Sequence, residues 1–198
     1  WQEDLGEVGM TLLRAWAESL GQERTFFDAA FEDSYPTMKL AHYPGHDGSE
    51  SGQGVGAHHD SGVLTLLLLE DGSSGLQVQT AGGWIDADPI TDHFVVNIGE
   101  LLEAATDGYL KATPHRVLPP APGTSRFSVP YFLAPGLDTH FPRVTLPPEL
   151  AADAPGTGAD LSDQEIFDLC GRNTIKSRFR AHPETTARYH AELAASLA

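Results

Sequence analysis

The stretch of sequence that decides the fold is GVGAHHDSGVLTLLLLEDG, residues 54–72. Its apolar run, Val63–Leu69, is far too short to span a bilayer and is typical of a buried strand. His58, His59 and Asp60 stand just before that run. Because residues two apart on an extended chain point to the same face, His58 and Asp60 can bind one ion, whereas His59 points away from it.

An imidazole and a carboxylate at this spacing suit a borderline divalent metal such as iron, zinc or manganese. For an isolated triplet, a surface hydrogen bond between the histidine and the acid is the favoured interpretation, because such triplets are common by chance. A third candidate ligand, His115, opens a strand-like segment far along the chain, in ATPHRVLPP. With it the set would be two histidines and one carboxylate, a facial triad that leaves coordination positions open.

A second pair of candidate site residues lies in SRFSVPYF, where Arg126 and Ser128 are two positions apart and share a strand face. A guanidinium and a hydroxyl together suit the binding of a carboxylate through charge-assisted hydrogen bonds. An ordinary strand that carries an edge arginine would show the same spacing. The spacing therefore leaves both interpretations open.

The rest of the chain predicts helices, then a β core, then helices. Leucines and other apolar residues recur at helical spacing from Leu5 to Leu20, and a second short helix is predicted in RTFFDAAF. Short β-branched or aromatic segments separated by Gly, Pro, Asp and Ser follow, which indicates an antiparallel sandwich or barrel. The predicted layout is a single domain with a helical lead-in at 1–34, a β core at about 37–146 and C-terminal helices at about 162–198.

The C-terminal helices are predicted from their start signals. Ser162 and Glu165 form a capping box, which predicts a helix through about Cys170 with that cysteine as a small core residue. Pro183 suits the first turn of a last helix, PETTARYHAELAASL.

Composition excludes some classes of partner. The chain has 198 residues and a net charge of −16, so we expect neither nucleic acid nor an anionic membrane surface as a partner. A single cysteine, Cys170, excludes an intrachain disulfide and favours a reducing compartment, the cytoplasm. The excess of Arg over Lys and the loops rich in Ala and Pro favour a role in secondary metabolism.

Five ordered blocks of the sequence carry a family resemblance: AHHDSGVLTLL, GLQV, GWIDADPI, VVNIGELLEAATDGYLKATPHRV and RFSVPYF. In this order they resemble the isopenicillin N synthase-like, iron(II)- and 2-oxoglutarate-dependent oxygenases, from about MKLAHYP to FLAP. The resemblance implies a mainly β fold with flanking α-helices: a double-stranded β-helix, that is, a cupin-like jelly roll. Members of the family normally carry a substantial portion before the equivalent of EVGMTLLRAW, and we expect that this portion is missing here.

The resemblance also implies roles for single residues. His58, Asp60 and His115 match the iron ligands of the family, and Arg126 and Ser128 match the residues that hold the distal carboxylate of 2-oxoglutarate.

Five further positions are assigned from the same resemblance. Tyr43, in AHYP, matches the tyrosine of an N-x-Y motif that helps to bind the cosubstrate, although Ala41 replaces the asparagine. Phe132 matches a position that often faces the substrate, and a core aromatic is the alternative. His59, as the middle residue of H-x-D, is free to contact substrate or solvent. Asn97 and Gly99, in VVNIGE, match a turn that we interpret as structural.

The activity implied is oxidation of a small organic molecule by Fe(II), 2-oxoglutarate and O₂, with release of succinate and CO₂. Hydroxylation, desaturation and cyclisation are all compatible with these motifs. Two alternatives stay open: an oxidase of the same family that does not use 2-oxoglutarate, and a metal-binding jelly roll without catalytic activity.

Overall fold

Strands dominate the middle of the chain in the computed structural model, which describes residues 1–45, 47, 54–156 and 166–197. The strands are β1 (Thr37–Met38), β2 (Ala41–Tyr43), β3 (Val55–His58), β4 (Leu64–Leu69), β5 (Leu76–Thr80), β6 (Gly83–Asp86), β7 (Val95–Ile98), β8 (His115–Val117) and β9 (Arg126–Leu133). The α-helices are α1 (Gln2–Ser19), α2 (Glu100–Ala105), α3 (Pro148–Ala151), α4 (Cys170–Ala181), α5 (Pro183–Tyr189) and α6 (Ala191–Ala195).

The strands form two antiparallel sheets. The major sheet has the order β1-β9-β4-β7, with β2 also paired to β9, and the minor sheet has the order β3-β8-β5-β6. From β2 onward the chain passes back and forth between the two sheets, apart from the β5–β6 hairpin within the minor sheet, and this alternation is typical of a double-stranded β-helix. The prediction of a mainly β jelly roll with flanking helices is confirmed.

Strand β4 explains why the apolar run is nearly continuous, because both of its faces are covered. Leu64 and Leu66 belong to the large core cluster, which also contains buried residues of α1 such as Leu5 and Leu13. Leu67, on the alternate face, packs in a second cluster between the two sheets. Strands that are buried on both faces lose the polar alternation of a half-exposed strand.

The turn that follows β7 holds the chain segment next to the candidate ligand Asp60. The amide of Gly99 donates to the carbonyl of Val63, and the amide of Glu100 donates to the carbonyl of Asp60 at 2.8 Å. A Cβ atom on Gly99 would overlap the carbonyl oxygen of Gly62 and lie 3.0 Å from that of Asp60. Only glycine permits this approach of two backbones.

We therefore expect Gly99→Ala to destabilise the fold by at least about 3 kcal/mol, because backbone atoms cannot move aside as a flexible side chain can. Thermal unfolding followed by circular dichroism measures the effect. Gly82→Ala is the matched control, since its Cβ would have only Thr80 Oγ1 nearby, at 3.7 Å. Equal melting temperatures for the two variants would contradict the close approach at Gly99.

Two of the helix predictions are wrong in extent. The RTFFDAAF segment contains only a short 3-10 helix, Asp28–Phe31. The predicted last helix is divided into α5 and α6 by His190, whose φ of −139° is not helical. The ring of His190 stacks on Phe179 of α4, with centroids 5.7 Å apart, and this contact accompanies the break.

The prediction of a helix from Ser162 through Cys170 is wrong for residues 166–169, which are described and are not helical. Ser162 and Glu165 lie outside the described residues, and helix α4 begins only at Cys170. Distant partners hold the two residues just before α4: Leu169 forms a β-bridge with His140, and the amide of Phe141 donates to the carbonyl of Asp168. Cys170 itself is buried, and burial raises the pKa of its thiol to about 11.

In the part of the chain that the structure describes, no helix combines the length and the apolar character needed to cross a membrane.

Candidate metal centre

The two candidate histidine ligands are brought together by strand pairing. His58 ends β3 and His115 begins β8, and the two residues are direct partners in the antiparallel ladder. Their ring centroids lie 4.3 Å apart. Asp60 follows β3 by two residues, with Oδ1 at 3.8 Å from His58 Nε2 and 3.7 Å from His115 Nε2. One ligand atom from each of the three side chains lies within 4.8 Å of the others.

Hydrogen bonds to the backbone orient both imidazole rings. His58 Nδ1 lies 2.8 Å from the carbonyl oxygen of Gly56, and His115 Nδ1 lies 3.1 Å from that of Thr113. A carbonyl can only accept, so each Nδ1 carries the proton and donates it. The lone pair of each ring is then on Nε2, the atom that faces Asp60, as metal binding requires.

The carboxylate of Asp60 is held from its other side by Thr65, a residue of β4 that sequence reasoning missed. Thr65 Oγ1 donates to Asp60 Oδ2 at 2.7 Å, and both side chains are buried. This leaves Oδ1 for the space between the histidines. The sequence offered one signal for this role: Thr65 is the only polar side chain in an otherwise apolar strand.

We expect Thr65→Val to weaken Fe(II) binding by about 10- to 100-fold, the usual effect of removing a hydrogen-bond partner of a ligand. Valine keeps the shape of threonine and removes only the hydroxyl. Thr65→Ser keeps the hydroxyl and should bind Fe(II) nearly as tightly as the wild type. Anaerobic Fe(II) titration measures both variants, and equal affinities for the valine and serine variants would refute the role of the hydroxyl.

The surroundings of His58 favour the neutral form of its imidazole. Burial is the main cause that lowers the pKa of His58, and the charges of His115 and Lys39 lower it further, against the opposing effects of Gly56 and Asp60. A histidine must be neutral to bind a metal, so a lowered pKa keeps His58 in its ligand form at neutral pH. A buried carboxylate between two imidazole lone pairs fits a divalent metal ion in its donor chemistry.

His59 does not belong to this group of three. Its Nδ1 lies 3.8 Å from Oε1 of Glu100, and its side chain lines a cavity of about 1050 Å³ together with His58 and Arg180. The cavity lies between β3, α2 and α4. Glu100 is buried, and this burial raises the pKa of its carboxyl, with Glu103 adding to the effect. Contact of the cavity with His58 gives a small molecule access to the metal centre.

Arg126 lies at the start of β9, on the same strand face as Ser128, and both residues are buried. One guanidinium nitrogen donates to the carbonyl of Ser74, and the guanidinium lies over the ring of Tyr43, 4.4 Å from its centroid. Arg126 Nε has no hydrogen-bond partner among the described residues. A buried donor without a partner is costly, so this site fits an anion such as the distal carboxylate of 2-oxoglutarate.

Glycine is needed beside this guanidinium. Gly75 has a φ of +111°, and a Cβ atom there would lie 2.7 Å from Arg126 Nη1 and 2.9 Å from the carbonyl oxygen of Leu118. The sequence block GLQV begins with this residue, and these two close contacts explain why that block begins with glycine.

Phe132 lies near the metal centre on the other sheet. It is the cross-strand partner of Thr65, the residue that donates to Asp60. The ammonium nitrogen of Lys39 lies 5.2 Å from the centroid of its ring. Alternation along β9 places Phe132 on the face that carries Arg126 and Ser128.

Comparison with known proteins agrees with this geometry. Residues 34–135 match the model of the 2OG-Fe(II) oxygenase superfamily. The 2-oxoglutarate-dependent dioxygenase frbJ of Dothideomycetidae sp. (strain 11243) is 33% identical over 198 residues, which cover 91% of this chain and 53% of frbJ. The 1-aminocyclopropane-1-carboxylate oxidase 1 of Cucumis melo is 40% identical over 139 residues, which cover 69% of this chain and 43% of that oxidase.

Among solved structures, a full-length Neurospora crassa protein in complex with alpha-KG superimposes with a TM-score of 0.70 at 28% identity, over 89% of this chain and 54% of the Neurospora chain. The chain thus spans about half the length of the relatives it matches. The matched segment, 34–135, contains every strand of both sheets and all three residues of the candidate centre. The chain therefore belongs to the 2OG-Fe(II) oxygenase superfamily.

Proposed function

We propose that this chain is a single oxygenase domain, with helices at 1–34, a β core at about 37–146 and helices at about 162–198. Its activity is that of an Fe(II)- and 2-oxoglutarate-dependent dioxygenase acting on a small organic molecule. The observation that carries the proposal is the placement of Asp60 between the Nε2 atoms of His58 and His115. A surface hydrogen bond would not require two oriented rings and a buried carboxylate with its own donor.

His58, Asp60 and His115 would hold the iron. When bound, iron with 2-oxoglutarate and O₂ supplies the oxidation of a C–H bond, with succinate and CO₂ as products. Three protein ligands leave coordination positions open for the cosubstrate and for oxygen. The task of the three side chains is to keep this geometry rigid, and the backbone contacts of both rings support that rigidity.

Arg126, Ser128 and Tyr43 would bind the cosubstrate. The unpaired Nε of Arg126 and the hydroxyl of Ser128 offer donors to its distal carboxylate. The ring of Tyr43 packs against the guanidinium, 4.4 Å from ring centroid to Cζ, and restricts its movement. Ala41 offers no side-chain amide, so the cosubstrate would lose one contact that the N-x-Y motif provides elsewhere.

The substrate would contact Phe132 and His59 beside the metal centre. Solved relatives include the full-length Neurospora crassa protein in complex with alpha-KG and thymine, and JOX2 in complex with 2OG, Fe and JA. Such ligands support a small organic substrate for this chain. We leave hydroxylation, desaturation and cyclisation as alternative outcomes at the same site. A cytoplasmic location and a role in secondary metabolism also belong to the proposal, and the single buried cysteine supports the former.

Anaerobic titration with Fe(II), with and without 2-oxoglutarate, tests the proposal. A metal-to-ligand charge-transfer band that needs both components is expected, followed by succinate release when O₂ is admitted. Succinate is the diagnostic product, because its carbon comes only from the cosubstrate.

A second candidate function is an oxidase that does not use 2-oxoglutarate. It is favoured by the 40% identity to 1-aminocyclopropane-1-carboxylate oxidase 1 of Cucumis melo. Iron binding without the charge-transfer band would support this candidate and contradict the main proposal. The band without succinate release would indicate a metal-binding jelly roll that lacks activity.

A further inference from the structure

Two buried acidic side chains of α2, Glu100 and Glu103, line the cavity beside the metal centre. They are three residues apart and therefore share a face of the helix, whereas Leu101 and Leu102 between them pack in the large core cluster. His58 lines the same cavity. A small molecule in this cavity would thus lie next to both the metal centre and the acidic face of α2.

The two acids differ in their hydrogen bonds. Glu103 Oε2 accepts from the amide of Ala112 at 2.8 Å. Among the residues that the structure describes, none donates a hydrogen bond to the carboxylate of Glu100, and the imidazole of His59 is the only basic group within 4.0 Å of it. The distance of 3.8 Å to His59 Nδ1 is too long for a hydrogen bond. Glu100 is therefore a buried carboxylate without a donor.

This arrangement costs the protein stability. The side chain of Glu100 is only 7% exposed, and a carboxylate that leaves bulk water without gaining a donor is unfavourable. The backbone there is fixed, because the amide of Glu100 donates to the carbonyl of Asp60 and the amide of Leu101 donates to that of Gly62. The carboxylate is thus held at the wall of the cavity, where a ligand that brings a donor would offset the cost.

The charges around the cavity favour a basic ligand group at this position. Lys111 and Arg180 also line the cavity, but in the described part of the chain neither forms an ion pair with Glu100. An acidic ligand group at α2 would be repelled by Glu100 and by Glu103. An ammonium group would instead donate to Glu100 and stabilise the ionised form of its carboxyl.

We propose that Glu100 binds a basic nitrogen of the primary substrate, so that the enzyme selects amines over neutral molecules of the same shape. The proposal rests on the proposed function, because it places the substrate in the cavity next to an iron centre. A charge-assisted hydrogen bond of this kind gives both affinity and orientation. It would hold the nitrogen at α2 and leave the carbon skeleton towards His58 and the metal.

Matched pairs of probes test the proposal: benzylamine, 2-phenylethylamine and hexylamine, each against the alcohol of the same skeleton. Binding is measured by ligand-observed saturation-transfer NMR on the purified protein with Zn(II) and 2-oxoglutarate under nitrogen, so that no turnover occurs. In the wild type we expect at least one amine to bind about tenfold or more tightly than its alcohol. Glu100→Gln, which keeps the shape of the side chain, should reduce this ratio to within about threefold.

Glu103→Gln is the matched control, because it removes the same charge from the same face of α2 and keeps an oxygen that can accept from Ala112. This variant should keep the preference for the amine. Equal loss of the preference in both variants would assign it to the net charge of the cavity and overturn the proposal. An amine that bound the metal ion itself would keep its preference in Glu100→Gln, and that result, or no preference in any pair, would also overturn it.

Thermal unfolding gives a second, independent readout. Because Glu100→Gln removes a buried charge that has no donor, its melting temperature without ligand should equal or exceed that of the wild type. Circular dichroism measures the transition. A clearly lower melting temperature, or failure of the variant to fold, would identify the carboxylate as a structural element and contradict its role in binding.

The charge-transfer band separates this proposal from the one on which it rests. If Fe(II) and 2-oxoglutarate give no band in the wild type, the proposed function fails. If the band forms and amines bind no more tightly than alcohols, only the role of Glu100 fails.

Discussion

Alanine in place of His58 is expected to weaken Fe(II) binding by more than about 100-fold, whereas alanine in place of its neighbour His59 leaves the affinity for Fe(II) within about threefold. His58 Nε2 faces Asp60 in the three-residue centre. The ring of His59 faces Glu100 instead. Because the two histidines are adjacent in the chain, the two variants compare the loss of a metal ligand with the loss of a neighbouring histidine that does not bind the metal.

The measurement is an anaerobic Fe(II) titration of both variants, supported by the metal content that remains after desalting. Circular dichroism establishes that both variants are folded. Similar iron affinity in the two variants would remove His58 from the centre. Loss of iron in His59→Ala with retention in His58→Ala would reverse the assignment, and with it the argument from strand periodicity.

Arg126→Met is expected to raise the concentration of 2-oxoglutarate needed for half-maximal formation of the charge-transfer band by at least about 30-fold. Removing the charged partner of a buried carboxylate costs at least about 2 kcal/mol, which corresponds to this factor. Arg126 is only 2% exposed, so water cannot replace the lost donors. Methionine keeps most of the apolar length of the side chain, so the packing on Tyr43 is largely retained.

Arg116→Met provides the matched control for this second experiment. Arg116 also lies over an aromatic ring, 4.3 Å from the centroid of Trp84, and its Nε donates to Gln77. It stands next to His115 on β8 and therefore points to the opposite face. Its replacement should leave the requirement for 2-oxoglutarate unchanged. A requirement that is unaltered in Arg126→Met would exclude Arg126 from cosubstrate binding.

The pairing of His58 with Asp60 can be predicted from the sequence because it depends only on local geometry, whereas the role of His115 comes from the family resemblance. His58 and Asp60 are two residues apart, and one simple rule of strand geometry separates them from His59. His115 and Arg126 each lie at the beginning of a strand that the sequence pattern predicts. The jelly roll could also be predicted, because its strands are short segments bounded by turn residues.

The features that sequence reasoning missed depend on contacts between distant residues. Thr65 reveals its role only when β4 is placed next to the end of β3. The late start of α4 has the same origin, since a β-bridge between Leu169 and His140 competes with helix formation. Local capping signals cannot report a competitor that is distant in the chain.

The distribution of the candidate site residues over the two sheets has a consequence for how they can be varied by mutation. His58 and His115 lie at strand ends of the minor sheet and Asp60 lies two residues beyond one of them, whereas Arg126 and Ser128 belong to β9 of the major sheet. We expect substitutions at Arg126 and Ser128 to alter the binding of 2-oxoglutarate while the pairing of His58 with His115 is kept. Mutagenesis can therefore vary the two sheets separately, with the exception of Thr65, through which the major sheet supports Asp60.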